Sequence, residues 1–213
     1  MTFPELVIGL LDTSAEIGDQ RVSDRFRGFT ISWARYGYQE MLIEADSVDG
    51  ILEQAADAAA RYCFILPYGF VLYEKWRLDD GDARDFFQCV SDWVQANSFL
   101  VAGMLLESHD SWYSFEPHCL LIDLDEYRRL GKPAFDLRTD DSTELPRVQP
   151  VYEDGRVIKL LPTETTAATK PGAATKPGPR GSNLIAASLN AGLPVLSLSN
   201  ELLRHTLDLG AGI

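Results

Sequence analysis

Tyr62-Cys63-Phe64-Ile65-Leu66-Pro67-Tyr68-Gly69-Phe70-Val71-Leu72-Tyr73 is the longest apolar and aromatic run of the chain, and Pro67-Tyr68-Gly69 breaks it at its centre. Taken alone it reads as a buried strand, a tight turn and a second short extended piece. In an α/β protein the same turn stands at the mouth of a crevice, because open sheets bind ligands beyond the carboxyl ends of their strands. The segments on either side decide between the two.

Upstream, Leu6 to Leu11 is a compact apolar run that stops in Asp12-Thr13-Ser14, the pattern of a buried parallel strand entering a polar loop. Arg21 to Trp33 carries apolar residues at loosely helical spacing. Tyr38 to Glu44 is a second strand, ending in Ala45-Asp46-Ser47. From Val48 to Arg61 the stripe Val48, Ile51, Leu52, Ala55, Ala56 and Ala59 predicts a helix with Ser47 as its cap. The first 75 residues therefore read β-α-β-α-β, which predicts a mostly parallel central sheet with helices on both faces.

Downstream, Asp82 to Ala96 predicts an amphipathic helix, with Phe86, Phe87, Val90, Trp93 and Val94 on one side. Phe99 to Leu106 and Pro117 to Leu124 read as strands, separated by the polar and aromatic stretch Glu107-Ser108-His109-Asp110-Ser111-Trp112-Tyr113. Glu126 to Leu130 is a short helix, with Gly131 in the C′ position and Pro133 beyond it. Asp154-Gly155 suits a two-residue hairpin turn within Val151 to Leu161. Ala-Thr-Lys-Pro-Gly occurs twice between Thr163 and Arg180, so residues 163–180 read as a flexible low-complexity loop. Ser182 to Ala191 predicts a helix, Leu193 to Leu198 a strand, and Asn200 to Leu207 a last helix. Residues 1–213 thus form one domain interrupted by that loop, since 182–213 is too short to fold alone.

Composition narrows the function. The chain has 213 residues, a net charge of −13 and three cysteines. An acidic surface repels phosphate backbones, which argues against duplex nucleic acid. Cys63, Cys89 and Cys119 lie in separate apolar runs with no Cys-x-x-Cys spacing, as buried reduced thiols do. Met-Thr-Phe-Pro-Glu-Leu lacks a basic n-region, and no uncharged apolar run reaches the roughly 20 residues that span a bilayer. The expectation is a soluble, cytoplasmic protein with no membrane partner.

Two stretches resemble the inverting family 2 glycosyltransferases of the GT-A nucleotide-sugar fold. Met41-Leu42-Ile43-Glu44-Ala45-Asp46-Ser47-Val48-Asp49-Gly50 is similar to that family's strand running into Asp-Asp-Gly-Ser-Thr-Asp-Gly. Ser47, Asp49 and Gly50 match, Glu44 stands for the first acid, and Ala45 replaces the second. His118-Cys119-Leu120-Leu121-Ile122-Asp123-Leu124-Asp125 to Gly131-Lys132-Pro133 resembles the acceptor-side strand and helix, so the likeness covers about residues 4–136. It implies a GT-A-like fold and transfer of a sugar from a nucleotide-sugar donor. Its implied substrate contacts are Glu44, Asp46, Ser47, Tyr68, Gly69, Trp112 and His118. The catalytic set would be Asp110 or Glu107 as general base toward an acceptor hydroxyl, with His109 as neighbour.

One departure stands out. The family keeps Asp-x-Asp, which holds a divalent cation, at the end of the strand assigned to 62–66, where this chain has Pro67-Tyr68-Gly69. Asp123-Leu124-Asp125 has the pattern one strand later, where it reads equally as a helix cap. The departure argues against a bound metal. It also opens a second reading, a GT-A-like binding or assembly protein without catalysis, working with a protein partner or as a homo-oligomer.

Overall fold

The fold is that of a computed structural model, which describes residues 6–13, 19–25, 27–28, 42–72, 86–107, 113–136, 148–162, 180–198 and 206–208. Strands β1 (Leu6–Leu11), β2 (Leu42–Ala45) and β3 (Tyr62–Pro67) are parallel, with β1 between the other two. Helix α1 (Val48–Asp57) connects β2 to β3 and buries Val48, Ile51, Leu52, Ala55 and Ala56 of the predicted stripe, but it stops four residues short of Arg61 and leaves Ala59 exposed beyond its end. Ser47 caps it, its hydroxyl accepting from the Gly50 N–H at 3.2 Å. Residues 20–25 and 27–28 are helical as well. This half follows its β-α-β-α-β pattern.

The other half corrects the expectation of a mostly parallel sheet. Eight strands form one mixed sheet, β2-β1-β3-β6-β5-β9-β8-β7, made of β5 (Val101–Glu107), β6 (Tyr113–Asp123), β7 (Val148–Glu153), β8 (Arg156–Pro162) and β9 (Val195–Ser197) with the first three. β6 lies between β3 and β5 and is antiparallel to both. Only five residues join β5 to β6, whereas a parallel return needs a crossover of about a dozen residues or more. β7 and β8 are antiparallel for the same reason, joined at Asp154 (φ 48°) and Gly155 (φ 75°). Positive φ at both central residues is the two-residue hairpin geometry that the Asp-Gly pair predicts. β9 returns parallel to β5 and antiparallel to β8.

The Pro67-Tyr68-Gly69 break is a turn, with Gly69 at φ 96°. After it, β4 (Phe70–Leu72) leaves the main sheet and pairs antiparallel with β10 (Thr206–Asp208). The helix expected over Asn200–Leu207 is therefore corrected at its end, since pairing with β4 draws 206–208 into a strand. Residues 200–205 lie outside the described set, as do 163–179.

Strand alternation sends side chains to two cores. On one face Val7, Cys63, Ile65, Leu120 and Ile122 pack against α1, α3 (Leu124–Arg129) and α4 (Ser182–Asn190). On the other, Leu6, Ile8, Leu10, Phe64, Leu66 and Leu121 pack against Cys89, Val90 and Val94 of α2 (Phe86–Ala96). Helices lie on both faces. The three cysteines are buried and none is in a disulfide, and burial pushes the Cys63 thiol up to about 12.

A candidate ligand crevice at the ends of the parallel strands

β1, β2 and β3 end together, and backbone hydrogen bonds knit their ends. Asp12 N–H donates to the Ala45 carbonyl at 2.8 Å, and Tyr68 N–H donates to the Leu11 carbonyl at 2.9 Å. Register places Glu44 beside Leu10, and Leu10 beside Leu66. Glu44 thus points to the α2 face, as does Tyr68, which packs in that core.

The side chains meet there. Tyr68 Oη donates to Glu44 Oε2 at 2.7 Å. Arg27 grips the same carboxylate with two prongs, Nε to Oε2 at 3.0 Å and Nη2 to Oε1 at 3.2 Å. Its Nε also lies 3.3 Å from Tyr68 Oη, which accepts from it. The tyrosine is buried, whereas side-chain exposure is 51% for Arg27 and 32% for Glu44, so ligand can reach the ion pair.

Burial, followed by the hydrogen bond to Glu44, pushes the Tyr68 phenol up to about 12, against a smaller opposing pull from Arg27. Arg27 is raised in turn, chiefly by its hydrogen bond to Tyr68 and then by the charge of Glu44. Burial also lifts the Tyr127 phenol to about 12. Both folded values exceed the ordinary 10, so these two groups contribute stability fully below pH 10 and lose it as pH rises toward 12. Denaturant unfolding at stepped pH should show that loss, and Tyr68→Phe should shrink it. A slope unchanged in the variant would contradict the assignment for Tyr68.

Chemically, the cluster offers acceptors and donors together. A carboxylate has about four lone-pair sites, and the three hydrogen bonds from Tyr68 and Arg27 leave about one of them, on Oε1, for a ligand hydroxyl. Arg27 keeps N–H groups beyond those committed to Glu44 and Tyr68, suited to an anionic oxygen. Arg27 was not legible as a site residue, because Arg21, Arg25 and Arg27 share one short stretch and only the packed chain selects among them.

The other expected site residues are dispersed. Asp46 is exposed at the turn into α1, and Ser47 is engaged as the cap. Asp49, of the same motif, accepts from the Phe135 N–H at 2.7 Å, so the matching residues serve local structure. Gly69 forms the turn. His109, Asp110 and Trp112 lie outside the described residues; His118 belongs to β6, its side chain outside the description.

Glu107, at the end of β5, has both carboxylate oxygens engaged. Tyr113 Oη donates to Oε1 at 3.2 Å, and Tyr152 Oη lies 3.2 and 3.0 Å from Oε1 and Oε2. Burial, with help from those neighbours, raises the Tyr113 phenol. Glu107 shares its side of β5 with Leu105, which packs in the α1/α4 core, so it faces away from Glu44. Four strand steps of about 4.8 Å, roughly 19 Å, separate β2 from β5. The two carboxylates belong to different surroundings.

Asp123-Leu124-Asp125 is the start of α3. Asp123 Oδ1 accepts from the N–H groups of Asp125 (3.0 Å) and Glu126 (3.1 Å), while Asp125 pairs with Arg128 at 2.9 Å and Arg61 at 3.6 Å. It is a helix cap. Among the described residues no three His, Cys, Asp or Glu side chains group as a metal site, and no helix is long and apolar enough to cross a membrane.

No family model, curated protein or solved structure matches the chain.

Proposed function

We propose that the crevice of Arg27, Glu44 and Tyr68 binds the nucleoside diphosphate portion of a nucleotide sugar, and that the chain is a glycosyltransferase-like protein. The observation that carries this is the convergence of a half-open carboxylate and a half-open guanidinium at the carboxyl ends of three parallel strands. That location is where ligands bind in open α/β sheets. Glu44 would take one ribose hydroxyl on Oε1 and Arg27 a phosphate oxygen. Transfer would then draw its base from Asp110, with His109 beside it. A second reading, nucleotide-sugar binding without transfer in a complex with another protein, is favoured by the placement of Glu107 on the opposite face and by the capping role of Asp123.

Thermal-shift titration with nucleoside diphosphates tests binding. At a hundredfold excess over Kd the stabilisation is about 2.7 kcal/mol, a rise of roughly 5–10 °C for a chain of this size. Glu44→Gln keeps an acceptor for Tyr68 but removes the charge, and should weaken binding roughly 10- to 100-fold. The absence of any shift with the common nucleotides, with or without manganese, would sink the proposal.

A further inference from the structure

On the α2 face, the half of the sheet formed by β5, β9 and β8 carries no helix among the described residues beyond the last turn of α2, from Trp93 to Ala96, and the following Asn97. A cleft of about 1030 Å³ opens there, between that end and the β7–β8 hairpin. Its apolar lining includes Trp93, Leu106, Leu196 and Leu198. Leu106 is 45% exposed, one of two large apolar or aromatic side chains left so open among the described residues. Its cationic wall is Arg156 and Lys159.

Lys159 is the informative residue. It pairs in register with Leu196 and so projects from the same side of the sheet, into the α2 face. It is only partly exposed, and neither its side chain nor that of Arg156 makes a hydrogen bond or ion pair among the described residues. The Lys159 stem can lie along the sheet beside Leu196 while the ammonium, with no ion-pair partner among the described residues, stays available to an anion that enters the cleft. In a chain of net charge −13 such a pair of unmatched cations is out of keeping with the surface around it.

The carboxylates nearby shape the choice of anion. Glu107 is turned to the phenols of Tyr113 and Tyr152, and the Tyr152 bond ties the hairpin to the end of β5, which holds the cationic wall in place. Glu153 and Asp154 stand exposed at the rim, where they repel a second negative group.

We propose that this cleft is a binding site for a small carboxylic acid with an apolar body, its single charge on Lys159 and Arg156 and its body over Leu106 and Trp93. Charge complementarity and an open apolar floor identify the occupant. This inference is independent of the nucleotide crevice, which lies at the opposite end of the strand order.

Fluorescence titration of the full chain with 8-anilinonaphthalene-1-sulfonate, an aromatic monoanion, reads the site directly. Decanoate and 1-naphthoate serve as competitors that separate an acyl from an aryl body. Saturable binding of one probe per chain, displaced by at least one acid, is expected. Decanamide, which keeps the body and removes the charge, should compete at least tenfold more weakly. Lys159→Met should weaken the acid at least tenfold and leave the amide unchanged, with circular dichroism and melting temperature as in the parent. Lys132→Met, which removes a lysine paired to Asp57 elsewhere, and Glu44→Gln should leave probe binding as it was. Equal competition by acid and amide, full binding by Lys159→Met, or no saturable binding would each overturn the proposal. If Lys159→Met fails to fold, Arg156→Met takes its place beside the acid-to-amide ratio of the parent chain, and full acid binding by that variant would overturn the proposal equally.

Discussion

Arg128→Ala is expected to lower the unfolding free energy by about 3 kcal/mol, and the melting temperature by roughly 6–12 °C. The Arg128 guanidinium holds three backbone carbonyls and one carboxylate at once. Its Nε donates to the Ala56 carbonyl at 2.8 Å, and Nη2 donates to the carbonyls of Ala58 and Ala60, both at 2.9 Å. Nη1 is held by Asp125 at 2.9 Å. These carbonyls belong to the last turn of α1 and the link into β3, where a helix runs out of internal donors. A guanidinium there satisfies them and complements the negative end of the helix dipole. Water can reach part of the vacated space, since the Arg128 side chain is 30% exposed, which keeps the loss well below three unsatisfied buried acceptors. Arg128→Lys should recover less than half of the loss, because an ammonium is a compact point donor and cannot span three carbonyls as the planar fork does. Chemical denaturation of the three proteins measures both quantities, and a loss under about 1 kcal/mol in Arg128→Ala would show the clamp to be incidental.

That clamp also marks the boundary of what the sequence discloses. Local signals carried far: the stripe from Val48 to Ala56 with Ser47 before it, the Asp154-Gly155 turn, and the apolar run of β3 all fold as their patterns require. Strand direction was less visible. The sequence pattern sets strands at Phe99–Leu106 and Pro117–Leu124, ten residues apart, and only the extension of β6 back to Tyr113 leaves a link of five residues, too short for a crossover. Alternation from Leu105 places Glu107 on the α1/α4 face, away from Glu44. Proximity to a polar loop was a poorer guide than that parity. The partnership of Arg128 with Ala56, Ala58 and Ala60, and of Arg27 with Glu44 and Tyr68, spans many residues of chain and has no periodic trace. Thr206–Asp208 is similar, since a strand of three residues is fixed by its partner β4 and not by its own composition.

Gly9→Val is expected to cost about 3 kcal/mol and to lower the yield of soluble protein, despite valine's preference for strands. β1 is buried along its whole length, between β2 and β3. Gly9 faces α1, and a Cβ built there would overlap Ile51 Cγ2 and stand 3.3 Å from Ile65 Cγ1. The helix rests on the bare backbone at this point, and its neighbour Ile51 is fully buried. Replacing glycine in a strand gains about 0.5–1 kcal/mol from reduced chain entropy, so steric overlap decides the sign. The overlap has little slack, because Ile51 is hemmed in by the sheet below it and by its own helix, and the packed interior yields only by shifting backbone. Pushing α1 outward would also move Ser47 and the end of β2, which carries Glu44. The effect should therefore reach the crevice: Gly9→Ala, the milder change, should weaken nucleotide binding as well as stability if that site binds nucleotide. Ile51→Ala vacates the disputed space and alone costs about 2–5 kcal/mol. The double variant Gly9→Ala/Ile51→Ala should be more stable than the sum of the single losses predicts, by about 1 kcal/mol or more, as expected of residues in contact. Strict additivity in that cycle would mean that α1 does not sit on Gly9.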